Sequence, residues 1–222
     1  MSMNIAIDGP AGAGKSTIAK KVAKEMGFIY VDTGAMYRAM ALYILQHGID
    51  EKNEQAIAAV CDDIDVALRY EAGEQRVLLC GEDVSKEIRR EEVGNMASVT
   101  SVYGCVRKKL VSLQQQLAAK EDVIMDGRDI GTCVLPQAPL KIYLTASVET
   151  RAKRRYKELC EKNVTCDLAE IMNDIEDRDY RDMHREISPL KQAEDAVLVD
   201  SSDMTIDEVV TTIITLAKER MA

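Results

Sequence analysis

The stretch Gly9-Pro10-Ala11-Gly12-Ala13-Gly14-Lys15-Ser16 fits the spacing G-x-x-x-x-G-K-[ST] at every position, and Thr17 follows it. An apolar run, Asn4–Asp8, precedes the stretch. After it, Ile18, Ala19, Val22, Ala23 and Met26 share one helical face and Gly27 ends the pattern. A strand that enters a helix through such a turn aims several backbone N–H groups at one point. The helix N-terminus adds partial positive charge there. Residues Gly9–Thr17 therefore read as a cradle for the phosphates of ATP. Lys15 is expected to reach the β and γ phosphates, and the Ser16 hydroxyl to ligate Mg²⁺. A loop of this kind serves kinases, GTPases and ATPases alike, so the rest of the chain must name the acceptor.

A strand–loop–helix start predicts an α/β fold. Five short apolar runs read as buried parallel strands: Asn4–Asp8, Phe28–Val31, Val123–Asp126, Leu140–Leu144 and Val197–Asp200. Each is continuous rather than alternating, as a strand covered on both faces should be. Helical patterns lie between them. The last helix opens on Thr205-Ile206-Asp207-Glu208, a capping-box spacing, and turns Val209, Val210, Ile213, Ile214 and Ala217 inward. Residues 64–84 break the pattern. Ile64, Val66, Leu68 and Tyr70 alternate with polar residues, Gly73 marks a turn, and a second extended run follows from Arg76 to Val84. This predicts an antiparallel hairpin inserted between the second and third parallel strands. At 222 residues, one domain over 1–222 is expected, with an insert at about 60–95 and a lid at about 150–165.

Composition narrows the setting. Trp is absent and Phe occurs once, so the core must be aliphatic. No stretch approaches the roughly 20 apolar residues that span a bilayer. Met1–Ile5 lacks a basic region followed by an apolar one, so no secretion signal is expected. The six cysteines include no C-x-x-C pair, which suits free thiols in a cytoplasmic protein. The net charge of −9 opposes general nucleic-acid binding. It leaves small anionic substrates open, because they feel a local arginine cluster more than the global charge. A monomer is expected, since no long apolar face is left unexplained.

Several polar clusters remain. Asp32-Thr33-Gly34-Ala35-Met36-Tyr37-Arg38 follows the second strand, where Thr33 and Arg38 could hold an anion. Asp126-Gly127-Arg128-Asp129-Ile130-Gly131-Thr132 leaves the third strand, with carboxylates flanking an arginine. Arg178, Asp182 and Arg185 share one helical face, and Arg151, Arg154 and Arg155 cluster at an earlier helix start. A triphosphate and a monophosphate together bring roughly six negative charges, which Mg²⁺ and one lysine cannot neutralise. Transfer between two phosphates needs little proton chemistry, because the acceptor is largely ionised near neutral pH (second pKa about 6). Catalysis is then positioning and charge stabilisation, work for arginines. A hydroxyl acceptor would demand an obvious base. A switch GTPase would need an N-K-x-D segment, which the chain lacks. A silent nucleotide-binding module should show damage at Lys15, Ser16 or the arginines, and none is visible.

In order along the chain, these segments resemble the bacterial type of cytidylate kinase, a nucleoside monophosphate kinase family. The resemblance takes in the loop at 9–17, DTGAMYR at 32–38, the insert near 64–84, DGRDIGT at 126–132, RAKRR at 151–155 and RDYRDMHREISPL at 178–190. It implies a P-loop NTPase core with a five-stranded parallel sheet flanked by helices, a small antiparallel β insert and a short helical lid. It also implies transfer of the γ-phosphoryl of ATP to CMP or dCMP. By this resemblance Thr33, Tyr37, Arg38 and Arg128 are acceptor-site residues, and Asp126, which opens the DGRDIGT segment, is read as substrate-binding with them. Ser98, Arg107 and Asp129 read the cytosine, and Arg178 and Asp182 contact the sugar. Arg185 lies near the transferring phosphate, and Arg151, Arg154 and Arg155 belong to the lid over ATP. The catalytic set is Lys15, Arg128, Arg154 and Arg185. The base assignment suits the chemistry, since Asp129 can accept from the exocyclic amine of cytosine. The carbonyl of uracil would face that carboxylate and lose. Gln115 and Thr145 depart from the family pattern, where an arginine and an aspartate are expected.

Overall fold

The computed structural model describes residues 3–71 and 73–221. Residues 1 and 2 of the N-terminal stretch, read above as lacking a secretion signal, lie outside the described residues. In chain order the strands are β1 (Asn4–Asp8), β2 (Ile29–Asp32), β3 (Val66–Glu71), β4 (Glu74–Leu79), β5 (Glu82–Asp83), β6 (Val123–Gly127), β7 (Leu140–Thr145) and β8 (Val197–Asp200). The helices are α1 (Lys15–Met26), α2 (Thr33–Gln46), α3 (Glu54–Cys61), α4 (Glu91–Thr100), α5 (Gly104–Ala118), α6 (Val148–Glu161), α7 (Leu168–His184) and α8 (Ile206–Met221). Two compact units result: the described residues of Met1–Tyr30 with Glu121–Ala222, and Val31–Lys120.

The first unit is built on the parallel sheet, whose strand order is β2-β6-β1-β7-β8. The central strand β1 pairs in parallel with β6 and β7, and its register sets Asp8 opposite Gly127 on one side and Tyr143 on the other. The carboxyl ends of these strands therefore finish level, and the loops that leave them share one edge. Beneath that edge Ile5, Ile7, Ile124, Ile142 and Leu144 pack with Ile18 and Val22 of α1 and Val209, Val210 and Ile213 of α8. This core is aliphatic, as the composition required.

The expected strands form, with one shift. β2 begins at Ile29 because Phe28 is taken by the end of α1: its N–H donates to Ala23 O at 2.9 Å, while Gly27 sits at φ 73°. That is the left-handed glycine cap that closes a helix. The capping box at α8 also forms, with Thr205 N–H donating to Glu208 Oε2 at 2.8 Å and Glu208 N–H donating to Thr205 Oγ1 at 3.3 Å. The charged segment after β7 forms two helices, α6 and α7, packed on each other. Asp167 caps the second by accepting from Ala169 and Glu170 N–H at 2.8 and 3.1 Å. Tyr180, Met183 and Ile187 lie exposed along one side of α7 and just past its end, an apolar strip that periodicity alone did not bring out.

In the second unit, α2 is apolar almost all round, with Ala35, Met36, Ala39, Met40, Ala41, Leu42 and Ile44 all buried. It packs with Ile57, Ile64, Val77, Ile88, Val93 and Leu110 from the elements around it. Burying each large aliphatic side chain contributes roughly 1.5–3 kcal/mol. The insert is three-stranded rather than a two-stranded hairpin, in the order β3-β4-β5. The second extended run turns at Cys80 and Gly81, whose φ angles are 50° and 87°. Gly81 suits such a bend, but the positive φ at Cys80 is rare for that residue, so the turn is only half signalled.

Candidate active site

The glycine-rich loop of residues 9–14 leaves β1 at Gly9. A Cβ there would lie 1.9 Å from Leu144 O, with φ at 148°, so only glycine fits. Gly12 and Gly14 take φ of 75° and 87°, curling the chain into α1. Lys15 is the first residue of that helix and is buried. Its Nζ donates to Gly9 O and Pro10 O, each at 2.7 Å, so the ammonium lies folded into its own loop. Burial, and then the nearby Arg128 charge, push the Lys15 amine down to about 7, against the pull of Asp126 and Asp8.

Ser16 Oγ donates to Asp126 Oδ2 at 3.0 Å, and Tyr30 Oη donates to Asp126 Oδ1 at 2.7 Å. Asp126 ends the buried part of β6, so two strand ends and the start of α1 meet at this carboxylate. A hydroxyl and a carboxylate so close are hard oxygen donors of the kind Mg²⁺ takes when phosphates and waters complete its shell. No cluster of three or more acidic, His or Cys ligands stands elsewhere among the described residues. The residues present thus fit an ion that arrives with its nucleotide rather than one held in a protein cage.

Asp8 was not among the expected residues. Its Oδ1 and Oδ2 accept from Ile130 N–H and Gly131 N–H, both at 2.7 Å. The two bonds pin the start of a wide helical turn, Ile130–Val134, in which Leu135 N–H reaches back to Ile130 O. Turns of this π type recur at functional sites. Burial pushes the Asp8 carboxyl up to about 6, although the Gly131 and Ile130 donors pull it down. The signal that could have found Asp8 was its place at a carboxyl strand end, the reasoning that nominated Asp126.

The loop after β6 holds Arg128 and Asp129, and α7 supplies their partners. Arg128 Nε pairs with Asp182 Oδ2 at 2.7 Å, and Arg185 Nη2 approaches Asp129 Oδ1 at 3.5 Å. Arg185 Nε is also held by Ser188 O at 2.7 Å. Asp182 has Arg128 as a direct partner, which helical spacing alone could not show, and the field of Arg178 adds to it. Burial raises the Asp182 carboxyl, but Arg128, Arg178 and Arg185 outweigh it and hold the group below the usual carboxylate range. The three lid arginines separate. Arg151 is buried and bonded to Ala11 O, Ala146 O and Asp179. Arg154 Nη2 donates to Ser201 O at 2.7 Å, and Arg155 pairs with Glu158 on the surface.

The remaining expected residues belong to the second unit. Asp32 caps α2 by accepting from Ala35 N–H at 2.9 Å, and Arg89, which the sequence reading passed over, pairs with Asp32 Oδ2 at 3.0 Å. Thr33 begins α2 and is buried. The open side of Gly34 faces Arg38, whose Nη1 would lie 3.7 Å from a Cβ. Arg107 of α5 is buried with its guanidinium 5.9 Å from the Tyr37 ring centre, a cation–π contact. Ser98 lies on α4, where its carbonyl accepts from Ser101 Oγ at 3.1 Å. Tyr37 and Arg107 are thus brought together, while Thr33 and Arg38 stand on the first turns of α2.

A sequence profile described as cytidylate kinase matches residues 5–219. The chain belongs to the cytidylate kinase family. It is 50% identical over 218 residues to a cytidylate kinase of Lactobacillus johnsonii, covering 98% of this chain and 95% of that one. It is 52% identical over 214 residues to a cytidylate kinase of Caldicellulosiruptor saccharolyticus, covering 96% and 95%. Among solved structures, an uncharacterised protein from Eubacterium ventriosum shares the fold at a TM-score of 0.54 and 13% identity, over 99% of both chains. Of the two positions expected to depart from the family pattern, Thr145 takes part through its backbone, and nothing in the structure explains its side chain. Its carbonyl accepts from Ser201 N–H at 2.8 Å and Ser201 Oγ at 3.0 Å, bonds that any side chain at 145 permits. Nothing in the structure explains Gln115.

Proposed function

We propose that this chain transfers the γ-phosphoryl group of ATP to CMP and dCMP, giving CDP and dCDP in pyrimidine nucleotide metabolism. One observation supports a phosphate acceptor above all. The carboxylates at the site edge are each engaged within the protein: Asp8 by two N–H groups, Asp126 by Ser16 and Tyr30, Asp129 by Arg185, Asp179 by Arg151 and Asp182 by Arg128. A hydroxyl acceptor needs a base to take its proton. An ionised phosphate does not, and the charge it brings suits the arginines here.

In this reading Gly9–Thr17 holds ATP, and Lys15 leaves its loop carbonyls for the triphosphate. Mg²⁺, held by Ser16 with Asp126 behind it, would screen the phosphate oxygens. Thr33, Tyr37, Arg38 and Arg128 bind the acceptor phosphate and its surroundings. Ser98, Arg107 and Asp129 read the cytosine, and Arg178 and Asp182 hold the sugar. Arg185 and Arg154 stabilise charge on the group in transfer, Arg154 after giving up Ser201 and Arg155 after giving up Glu158. Units Val31–Lys120 and the lid helices serve as acceptor-binding and ATP-covering parts of one kinase. A cytoplasmic monomer that uses small nucleotides and not nucleic acid accords with six free thiols and a net charge of −9. No helix among the described residues is long and apolar enough to cross a membrane.

The test is diphosphate formation from Mg·ATP with CMP, dCMP, UMP, AMP, GMP or no acceptor. Rapid CDP and dCDP with little UDP is the expected result. A different preferred acceptor would retain the kinase but remove Ser98, Arg107 and Asp129 from base reading. No diphosphate from folded, ATP-binding protein would end the proposal.

A further inference from the structure

We propose that Arg151 and Asp179 form a buried strut that sets the direction of the Ala11–Gly12 peptide in the phosphate loop, making both positioning residues for ATP. The inference rests on the reading that residues 9–17 hold ATP. It departs from the lid role that the family resemblance gives Arg151.

The Arg151 side chain is only 4% exposed, and its guanidinium spreads over three acceptors from distant parts of the first unit. Nε donates to Ala146 O at 2.9 Å, at the end of β7. Nη1 donates to Ala11 O at 2.9 Å, inside the phosphate loop. Nη2 pairs with Asp179 Oδ2 of α7 at 2.6 Å. The stem matters too, because a Cβ on Gly12 would stand 3.4 Å from Arg151 Cβ, so the loop rests on the arginine. A planar trans peptide points its C=O and the next N–H in opposite directions. With Ala11 O drawn onto Arg151, the Gly12 N–H turns away from it, at a residue that is itself exposed. An N–H presented outward from a glycine-rich turn is what an incoming phosphate binds.

Asp179 makes this arrangement possible. A guanidinium cannot shed its proton, so burial demands a counter-charge. Asp179 Oδ2 supplies it, and Asp179 Oδ1 is buried without a hydrogen-bond donor. A carboxylate in that state is poorly used for stability, which suits a residue kept to hold the arginine. Lysine could replace the charge but not the planar fork that reaches three diverging acceptors.

The test uses the full chain with Arg151→Lys, Asp179→Asn and the double variant. Calorimetry measures the Kd of Mg·ATP without acceptor, and steady-state kinetics give the KM of CMP. We expect each single variant to weaken ATP about ten-fold or more, with the CMP KM little changed. The double variant should be no worse than the weaker single, because both remove one strut. Unchanged ATP affinity, equal loss for both substrates, or losses that multiply in the double variant would each overturn the proposal. So would a failure of both single variants to fold, which would make the pair an element of the fold alone. Wild-type protein that binds ATP but forms no CDP would defeat the acceptor reading and leave this test standing.

Discussion

The carboxyl edge of the parallel sheet and the interior around α2 are comparably buried, yet they are made of opposite materials. Around α2 the buried groups are Met40, Leu42, Ile44, Ile57 and Leu110, which lose nothing on leaving water. At the sheet edge they are Asp8, Lys15, Asp126, Asp129, Arg151, Asp179 and Asp182, which must be paid for by partners. Apolar packing contributes stability and asks only for shape. The charged edge contributes little net stability, since pairing roughly offsets desolvation, and in return it holds charge in fixed directions. One region keeps the chain folded; the other uses that rigidity.

If this contrast is right, substitutions should sort by region. Lys15→Ala should lower kcat by about 10³-fold or more, the scale of losing a charge aimed at the transition state. Its thermal melt should stay close to wild type. A melt that collapses while the residual rate per folded molecule stays near normal would erase the distinction. Leu42→Ala should do the reverse. It empties a fully buried site, so urea unfolding should show a loss of about 2–5 kcal/mol. The rate per folded molecule should change far less than in Lys15→Ala, and an equal fall would mean that the α2 interior also shapes the chemistry.

A third test uses pH. Asp8 titrates at about 6 in the fold against 3.8 as an ordinary carboxyl. Between those values the folded chain keeps a proton that the unfolded chain has lost. Its contribution is therefore full below about pH 4, and it is lost as pH rises through 6. A shift of about two units corresponds to about 3 kcal/mol. The unfolding free energy of wild type minus that of Asp8→Asn should fall by about that much between pH 4 and 7. A difference that is flat or rising with pH would show that the Ile130 and Gly131 donors, not burial, govern Asp8. The smallest effect is expected at a site that belongs to neither region. Thr205→Ala removes the α8 cap and should cost about 1 kcal/mol with full activity. A loss of activity there would mean that α8 transmits more than its packing.

How much was readable in advance follows the range of each interaction. The glycine-rich turn before α1, the Gly27 cap, the α8 capping box and the five parallel strands depend on residues within a few positions of each other, so pattern reveals them. β2 slipped by one residue because Phe28 completes a helix cap, a choice between two local structures that periodicity cannot weigh. The third strand of the insert needed a bend at Cys80, a residue without turn preference. Asp8 was passed over, and Arg151 was named only as a lid residue, for a different reason. Asp8 acts on a backbone N–H 122 positions away, and Arg151 on a carbonyl 140 positions away. The neighbouring sequence places Asp8 at a strand end and Arg151 in an arginine cluster, but it does not show the partner that either one reaches.

By itself, the sequence determined the α/β class, the glycine-rich turn at Gly9–Thr17, the aliphatic cores and the set of charged residues at hand. Glycine spacing, helix polarity and hydrophobic period are local properties, and they act wherever the chain goes. Only the tertiary structure decided which charge meets which. It brought Arg128 to Asp182, closed Lys15 onto its own loop, and set Arg151 beneath the Gly9–Thr17 turn. A buried charge must find a partner of opposite sign wherever packing places one, and that choice exists only once the strands have aligned.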